Sequence, residues 1–170
     1  MLGTRVVKGL LSRLDLLVRL LPSSSFFEAK RRILNLGGHD LAPGTRVVSL
    51  KVRGARLRSA GPCHIGHGFR VYGAGASSCE LLIGAGVDIG PEVVVFLGTH
   101  AIGAPARRAG AGRGTNGKIG DGVWVGGRSQ FIGPFEVGAG AVVGAGTTVR
   151  HHIEDNSLVK STSPTIRKIQ

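Results

Sequence analysis

Two cysteines, one methionine, one tryptophan and one tyrosine occur in 170 residues, and aromatic side chains make up only 5%. Cys63 and Cys79 lie far apart with no C-x-x-C pair. Neither a disulfide framework nor a structural zinc site is expected, and a reducing compartment fits. So few aromatics, with no cluster among them, argue against sequence-specific nucleic-acid binding, which for RNA stacks bases on exposed rings. Acidic residues are also scarce, 10 against 22 Lys and Arg, for a net charge of +12. No apolar run approaches the roughly 18 residues of a spanning helix. Arg13, Asp15 and Arg19 interrupt every stretch long enough to be the core of a signal peptide. A cytoplasmic protein is expected. Proline, at 7, is too rare for a collagen-like chain despite abundant glycine.

What the chain has in excess is glycine, 29 residues, of which 24 fall at or beyond residue 54. Positive charge is skewed the other way: residues 1–58 hold 12 basic and 3 acidic side chains, leaving only +3 for the rest. Such a basic end suits phosphates or an anionic membrane surface. Within it, Val7, Leu10, Leu11, Leu14, Leu17, Val18 and Leu21 recur at three and four, opposite Arg5, Lys8, Ser12, Asp15 and Arg19. This spacing predicts an amphipathic helix. Pro22 breaks it, and Ser25 with Glu28 reads as a capping box opening a second short helix that Asn35 to Gly38 stop. Both helices are expected to pack on the main domain or on a neighbouring subunit. The alternative is peripheral contact of the first helix with the inner face of a membrane.

From residue 65 a period of six emerges. Ile65, Val71, Ser77, Ile83, Ile89 and Val95 share one phase, which resumes at Ile119, Val125, Phe131, Val137, Val143 and Val149. The next position is glycine at 66, 84, 90, 120, 126, 138 and 144. Neither a helix nor an ordinary strand makes such a repeat. Six residues suit one short strand and a bend, with one apolar side chain inward and a small residue at a tight corner. Three units would close an 18-residue turn and stack the inward positions in columns. Ile65, Ile83, Ile119 and Val137 would form the first, Val71, Ile89, Val125 and Val143 the second, and Ser77, Val95, Phe131 and Val149 the third. The expected fold is an all-β parallel solenoid over 41–170, preceded by a helical segment over 1–40. Residues 39–64 read as imperfect first coils. Residues 101–118 abandon the pattern yet return the chain in phase, and are expected to form a loop extruded from the solenoid.

FLGTHAIG at Phe96 to Gly103 with RRAG at Arg107 to Gly110, IGDGVWVGG at Ile119 to Gly127, the VGAGAVVGAGTTV run to Val149 and IRKI at Ile166 to Ile169 together resemble the hexapeptide-repeat acyltransferases. The likeness is to their sugar O-acetyltransferase branch, which includes maltose and galactoside acetyltransferases. The resemblance implies a left-handed parallel β-helix, a homotrimer with active sites between subunits, acetyl-CoA as donor, and a sugar or glycan hydroxyl as acceptor.

Transfer of an acetyl group from a thioester to a hydroxyl needs a base for the hydroxyl proton, and an imidazole suits that role at neutral pH. His100 matches the family's catalytic histidine; its orienting partner, a backbone carbonyl or a carboxylate, is left open by the sequence. The resemblance places an oxyanion-stabilising backbone amide at Gly127, with Gly126 beside the pantetheine arm and Ala145 and Gly146 facing the donor. Arg150, Lys160, Arg167 and Lys168 would meet the phosphates of coenzyme A. Arg107, Arg108, Tyr72 and Trp124 complete the candidates for substrate contact, although packing at a subunit contact is the better account of Trp124. A metal is not expected: His64 and His67 lack the further histidine beyond His100 that a related zinc-binding pattern requires.

The likeness has gaps. Where the family often carries G-x-P-A-R before its tail, this chain reads KSTSPT from Lys160. Where sugar acetyltransferases place asparagine or aspartate to hold the acceptor, it reads VYGAGASS from Val71. A longer acyl-CoA, an acyl carrier protein, a non-glycan acceptor, and a non-catalytic scaffold remain alternatives.

Overall fold

In a computed structural model, which describes residues 14–74 and 79–161, short strands wind into a prism whose three sides are parallel sheets. The first face stacks β1 (Arg46–Val47), β4 (His64–Ile65), β7 (Asp88–Ile89), β12 (Trp124–Val125), β15 (Val142–Val143) and β17 (Leu158–Val159). The second stacks β2 (Leu50–Arg53), β5 (Phe69–Tyr72), β8 (Val94–Phe96), β13 (Gln130–Ile132) and β16 (Thr148–Val149). The third stacks β3 (Ala55–Ser59), β6 (Cys79–Ile83), β11 (Gly117–Ile119) and β14 (Phe135–Val137). Each two-to-five-residue strand alternates inward and outward side chains, and the inward ones form a single narrow core.

The inward columns confirm the sixfold pattern but correct its assignment in the first coils. Ile83, Ile119 and Val137 stack as expected, as do Ile89, Val125 and Val143, and Val95, Phe131 and Val149. Ile65, however, pairs with Ile89 and Val71 with Val95, each 24 residues apart. Val71 and Ile83 therefore lie on successive faces although 12 residues separate them. From Tyr72 to Leu81 the chain spends six residues more than from Ile132 to Phe135, which take the same places two coils on. An insertion of one full repeat leaves the hexad phase intact while shifting every earlier residue by one face. Ser77, assigned to a column, lies outside the described residues. Residues 46–59 form a regular first coil, in which Val52 is buried against Val71, Ser59 pairs with Ile83, and Leu57 is buried two residues earlier against Leu81.

The first predicted helix is seen as α1 (Leu14–Leu20); its members Val7, Leu10 and Leu11 lie outside the described residues. The second is α2 (Phe27–Leu36). Val18 and Leu34 are buried in the same hydrophobic cluster as the coils. The capping box is not formed. Phe26 is the N-cap with φ 57 and makes no side-chain cap. The Glu28 carboxylate is instead taken by Arg31 at 2.6 Å and Arg32 at 2.9 Å, one turn along the helix. Those two guanidiniums lower its pKa to about 2. Lys30 is fully buried, its ammonium donating to the Ser23 and Val48 carbonyls at 3.0 Å each, and burial lowers its pKa.

Candidate active site

The segment 101–118 is not an irregular loop. With the residues before it, it builds an antiparallel hairpin of β9 (Gly98–Ile102) and β10 (Ala109–Gly114), leaving the prism where the second face turns to the third. A turn closed by Arg107 N–H donating to Ala104 carbonyl joins the strands, so Arg107 and Arg108 sit exposed at its tip.

His100 lies on β9, opposite Gly112. The register slips between Ala109 and Gly112, and this bulge withdraws the Gly110 carbonyl from regular pairing. The carbonyl lies 2.9 Å from His100 Nδ1. A carbonyl only accepts, so Nδ1 carries the proton and Nε2 presents a lone pair. The orienting partner left open by the sequence is thus a backbone carbonyl, and the glycine-rich loop supplies it. A histidine held in this tautomer, exposed at the base of a hairpin, is equipped to accept a proton from a hydroxyl.

A second cluster occupies the corner between the first and second faces. Gly126, Gly127, Ala145 and Gly146 stack there, with Gly126 N–H donating to Val143 and Gly146 N–H to Gly127. Lys160 continues the ladder, its Cβ over Gly144. The Gly127 and Ala145 N–H groups have no hydrogen-bond partner among the described residues. They are free donors on the prism's edge. Beside them the turn position occupied by Gly68 and Gly146 is held by Glu92 and Arg128, both left-handed at φ 58 and 59. Their side chains pair at 2.7 Å, which lowers the Glu92 pKa.

The structure separates these clusters. Gly127 precedes β13 and the hairpin follows β8, so Gly127 and His100 flank opposite edges of the second face. Arg150 follows β16 on the hairpin side, away from Lys160. Arg167, Lys168 and the Ile166 to Ile169 tail lie outside the described residues. Tyr72 ends β5 with its ring stacked on Phe96 at 5.7 Å, and its carbonyl accepts from Leu97 N–H directly before the hairpin. Trp124 projects from the first face, 60% exposed, in register with Val142 and Leu158. Sequence reasoning missed Phe96, the partner of Tyr72, because its outward place became visible only once the faces were assigned. Among the described residues no group of three His, Cys, Asp or Glu side chains could hold a metal, and no helix is long and apolar enough to cross a membrane.

The family model described as bacterial transferase hexapeptide (six repeats) matches residues 116–151, which span β11 to β16. The fold is similar to a hexapeptide-repeat acetyltransferase of Vibrio cholerae complexed with acetyl coenzyme A: TM-score 0.70, 20% identity, covering 92% of this chain and 83% of that one. It also resembles a maltose O-acetyltransferase of Clostridium difficile, with TM-score 0.59, 21% identity and coverage of 96% and 86%. A polySia specific acetyltransferase aligns at TM-score 0.61 and 20% identity over 76% of this chain and 60% of that one. The hexapeptide repeat is thus carried by residues 116–151, and the fold of the whole chain is the left-handed parallel β-helix it shares with those acetyltransferases.

Proposed function

We propose that the protein is an O-acetyltransferase moving the acetyl group of acetyl-CoA to a hydroxyl of a sugar or glycan precursor, with His100 as general base. The observation that carries this reading is the 2.9 Å contact of His100 Nδ1 with the Gly110 carbonyl, which leaves Nε2 free as a base on a fold shared with acetyltransferases. In the reaction Nε2 takes the hydroxyl proton as the oxygen attacks the thioester carbonyl carbon. The oxyanion is met by a backbone N–H, for which Gly127 is the free donor. The C–S bond then breaks and the imidazolium returns its proton to the thiolate of coenzyme A.

Because His100 and Gly127 flank opposite edges of one face, this chemistry is best served between copies of the chain, and a homotrimer is the assembly we propose. The outward row of exposed Trp124, half-buried Val142 and exposed Leu158 on the first face supplies an apolar surface for such a contact. Gly126, Ala145, Gly146 and Lys160 would then lie along the donor, and Arg107 and Arg108 beside the acceptor. This reading puts the reaction in the cytoplasm, where acetyl-CoA is available, and has the basic N-terminal segment touch the membrane if the acceptor is lipid-linked.

The test is His100→Ala with acetyl-CoA and a panel of saccharides, products being read by mass spectrometry. Turnover should fall by about two or more orders of magnitude while the assembly stays folded. A near-wild-type rate in this variant removes the assignment.

A further inference from the structure

The outer side of the second face carries an imbalance that the proposed chemistry does not use. Lys51 and Arg70 are direct neighbours across β2 and β5, and Arg53 pairs with Tyr72 one pleat further on. Like charges placed opposite one another in a sheet are unfavourable. Elsewhere the molecule cancels such charges: Arg58 bridges Asp40 and Glu80, Lys118 pairs with Glu136, and Arg128 takes the Glu92 carboxylate nearest to Arg70. Among the described residues no carboxylate lies within ion-pair distance of Lys51, Arg53 or Arg70.

Next to these cations lies an aromatic surface. Tyr72 and Phe96 stack at 5.7 Å with their planes 19° apart, and Lys51 Nζ lies 6.0 Å over the Tyr72 ring. Phe96 remains 37% exposed. At the other edge, Lys51 and Arg70 line a cleft of about 500 Å³ walled on its apolar side by Val18 and Leu21. The chain runs from Phe96 straight into β9 and His100, so this platform adjoins the base of the catalytic hairpin.

We propose that the platform binds an anionic saccharide, one bearing a phosphate or a carboxylate, with the sugar ring against the exposed Phe96 ring that Tyr72 backs and the charge held by Lys51, Arg53 and Arg70. A sugar ring presents C–H groups to an aromatic face, while a planar guanidinium accepts a phosphate or carboxylate in bidentate fashion. The pattern also accounts for the missing aspartate near VYGAGASS: a carboxylate there would repel such a ligand. That this saccharide is the acetyl acceptor rests on the acyl-transfer reading; that it binds does not.

The test separates the two. The full chain, without acetyl-CoA, is titrated calorimetrically with glucose 6-phosphate, glucose and inorganic phosphate, and the same is done for R53Q/R70Q and Tyr72→Ala. Glucose 6-phosphate should bind at least about tenfold tighter than either glucose or phosphate, since a charge-assisted hydrogen bond is worth roughly that factor or more. R53Q/R70Q should lose about tenfold, Tyr72→Ala should lose affinity for the sugar phosphate while phosphate binding persists, and added salt should weaken binding. Equal affinity for glucose and glucose 6-phosphate overturns the proposal, as does phosphate binding as tightly as the sugar phosphate. Variants that keep saccharide affinity but lose sedimentation with phosphatidylglycerol vesicles overturn it in favour of a membrane surface. If glucose 6-phosphate binds as expected and no acetyl product forms with any acceptor, the acyl-transfer reading fails and the binding site stands.

Discussion

Two glycines in one corner test why the repeat needs glycine. Gly120 and Gly122 both lie between the third and first faces. A Cβ placed on Gly120 would sit 2.7 Å from Ala139 N, 2.9 Å from Gly138 C and 2.9 Å from Val137 O, all backbone atoms of the coil above. A Cβ on Gly122 meets nothing within 4 Å, but its φ is +66. Gly120→Ala must force two coils apart against the 2.8 Å hydrogen bond from Gly120 N–H to Val137 carbonyl. Backbone cannot rotate away, so the cost belongs at the upper end of overpacking, about 3 kcal/mol. Gly122→Ala costs only left-handed strain, about 1 kcal/mol. For a chain of this size these translate to Tm losses of roughly 6–12 °C and 2–4 °C. Gly122→Asn should cost less again, since Asn156 fills the stacked equivalent of Gly122 and Gly140 with φ 54. Thermal melts followed by circular dichroism, supported by urea midpoints, would rank the three. Equal or greater loss in Gly122→Ala would show that backbone conformation, not the approach of neighbouring coils, imposes the glycine.

The other predictions concern charge. Burial lowers the folded pKa of Lys30 below the ordinary 10.5, so the unfolded chain binds the extra proton and stability should rise with pH on approach to 10.5. The difference in urea midpoint between wild type and Lys30→Met should therefore shift in favour of wild type between pH 8 and 10 (about the range where lysine titrates); a constant difference refutes the cost of the buried ammonium. Glu28, Glu92 and Glu136 have pKa values lowered by Arg31 and Arg32, by Arg128 and by Lys118 respectively. Their contribution is complete above the ordinary carboxylate value of 4.5 and lost as pH falls below it, toward about 2 for Glu28. Glu28→Gln should flatten the stability profile in that acid window and leave neutral stability almost unchanged, because exposed pairs add little there.

The period of six was legible because burial enforces it: each inward aliphatic needs its neighbours above and below, and each corner glycine needs the backbone of the next coil. What a period cannot carry is the identity of the face. The six extra residues between Tyr72 and Leu81 equal one repeat, so they left the hexad count undisturbed while displacing Ile65 and Val71 by a third of a turn. Only interstrand pairing reveals that. The capping box failed for a local reason, since Arg31 and Arg32 compete for the one carboxylate it required. His100 could be singled out from its motif, but its tautomer could not. That depends on a bulge between Ala109 and Gly112, in a stretch of small residues whose alternation carries no hydrophobic signal at all. The same limit hid the cationic platform. Lys51, Arg53 and Arg70 are separated in the chain by up to a full coil and become one surface only when parallel pairing sets β2 against β5, so a charge count over residues 1–58 saw a basic first third, without Arg70, where the fold gathers three cations on one face.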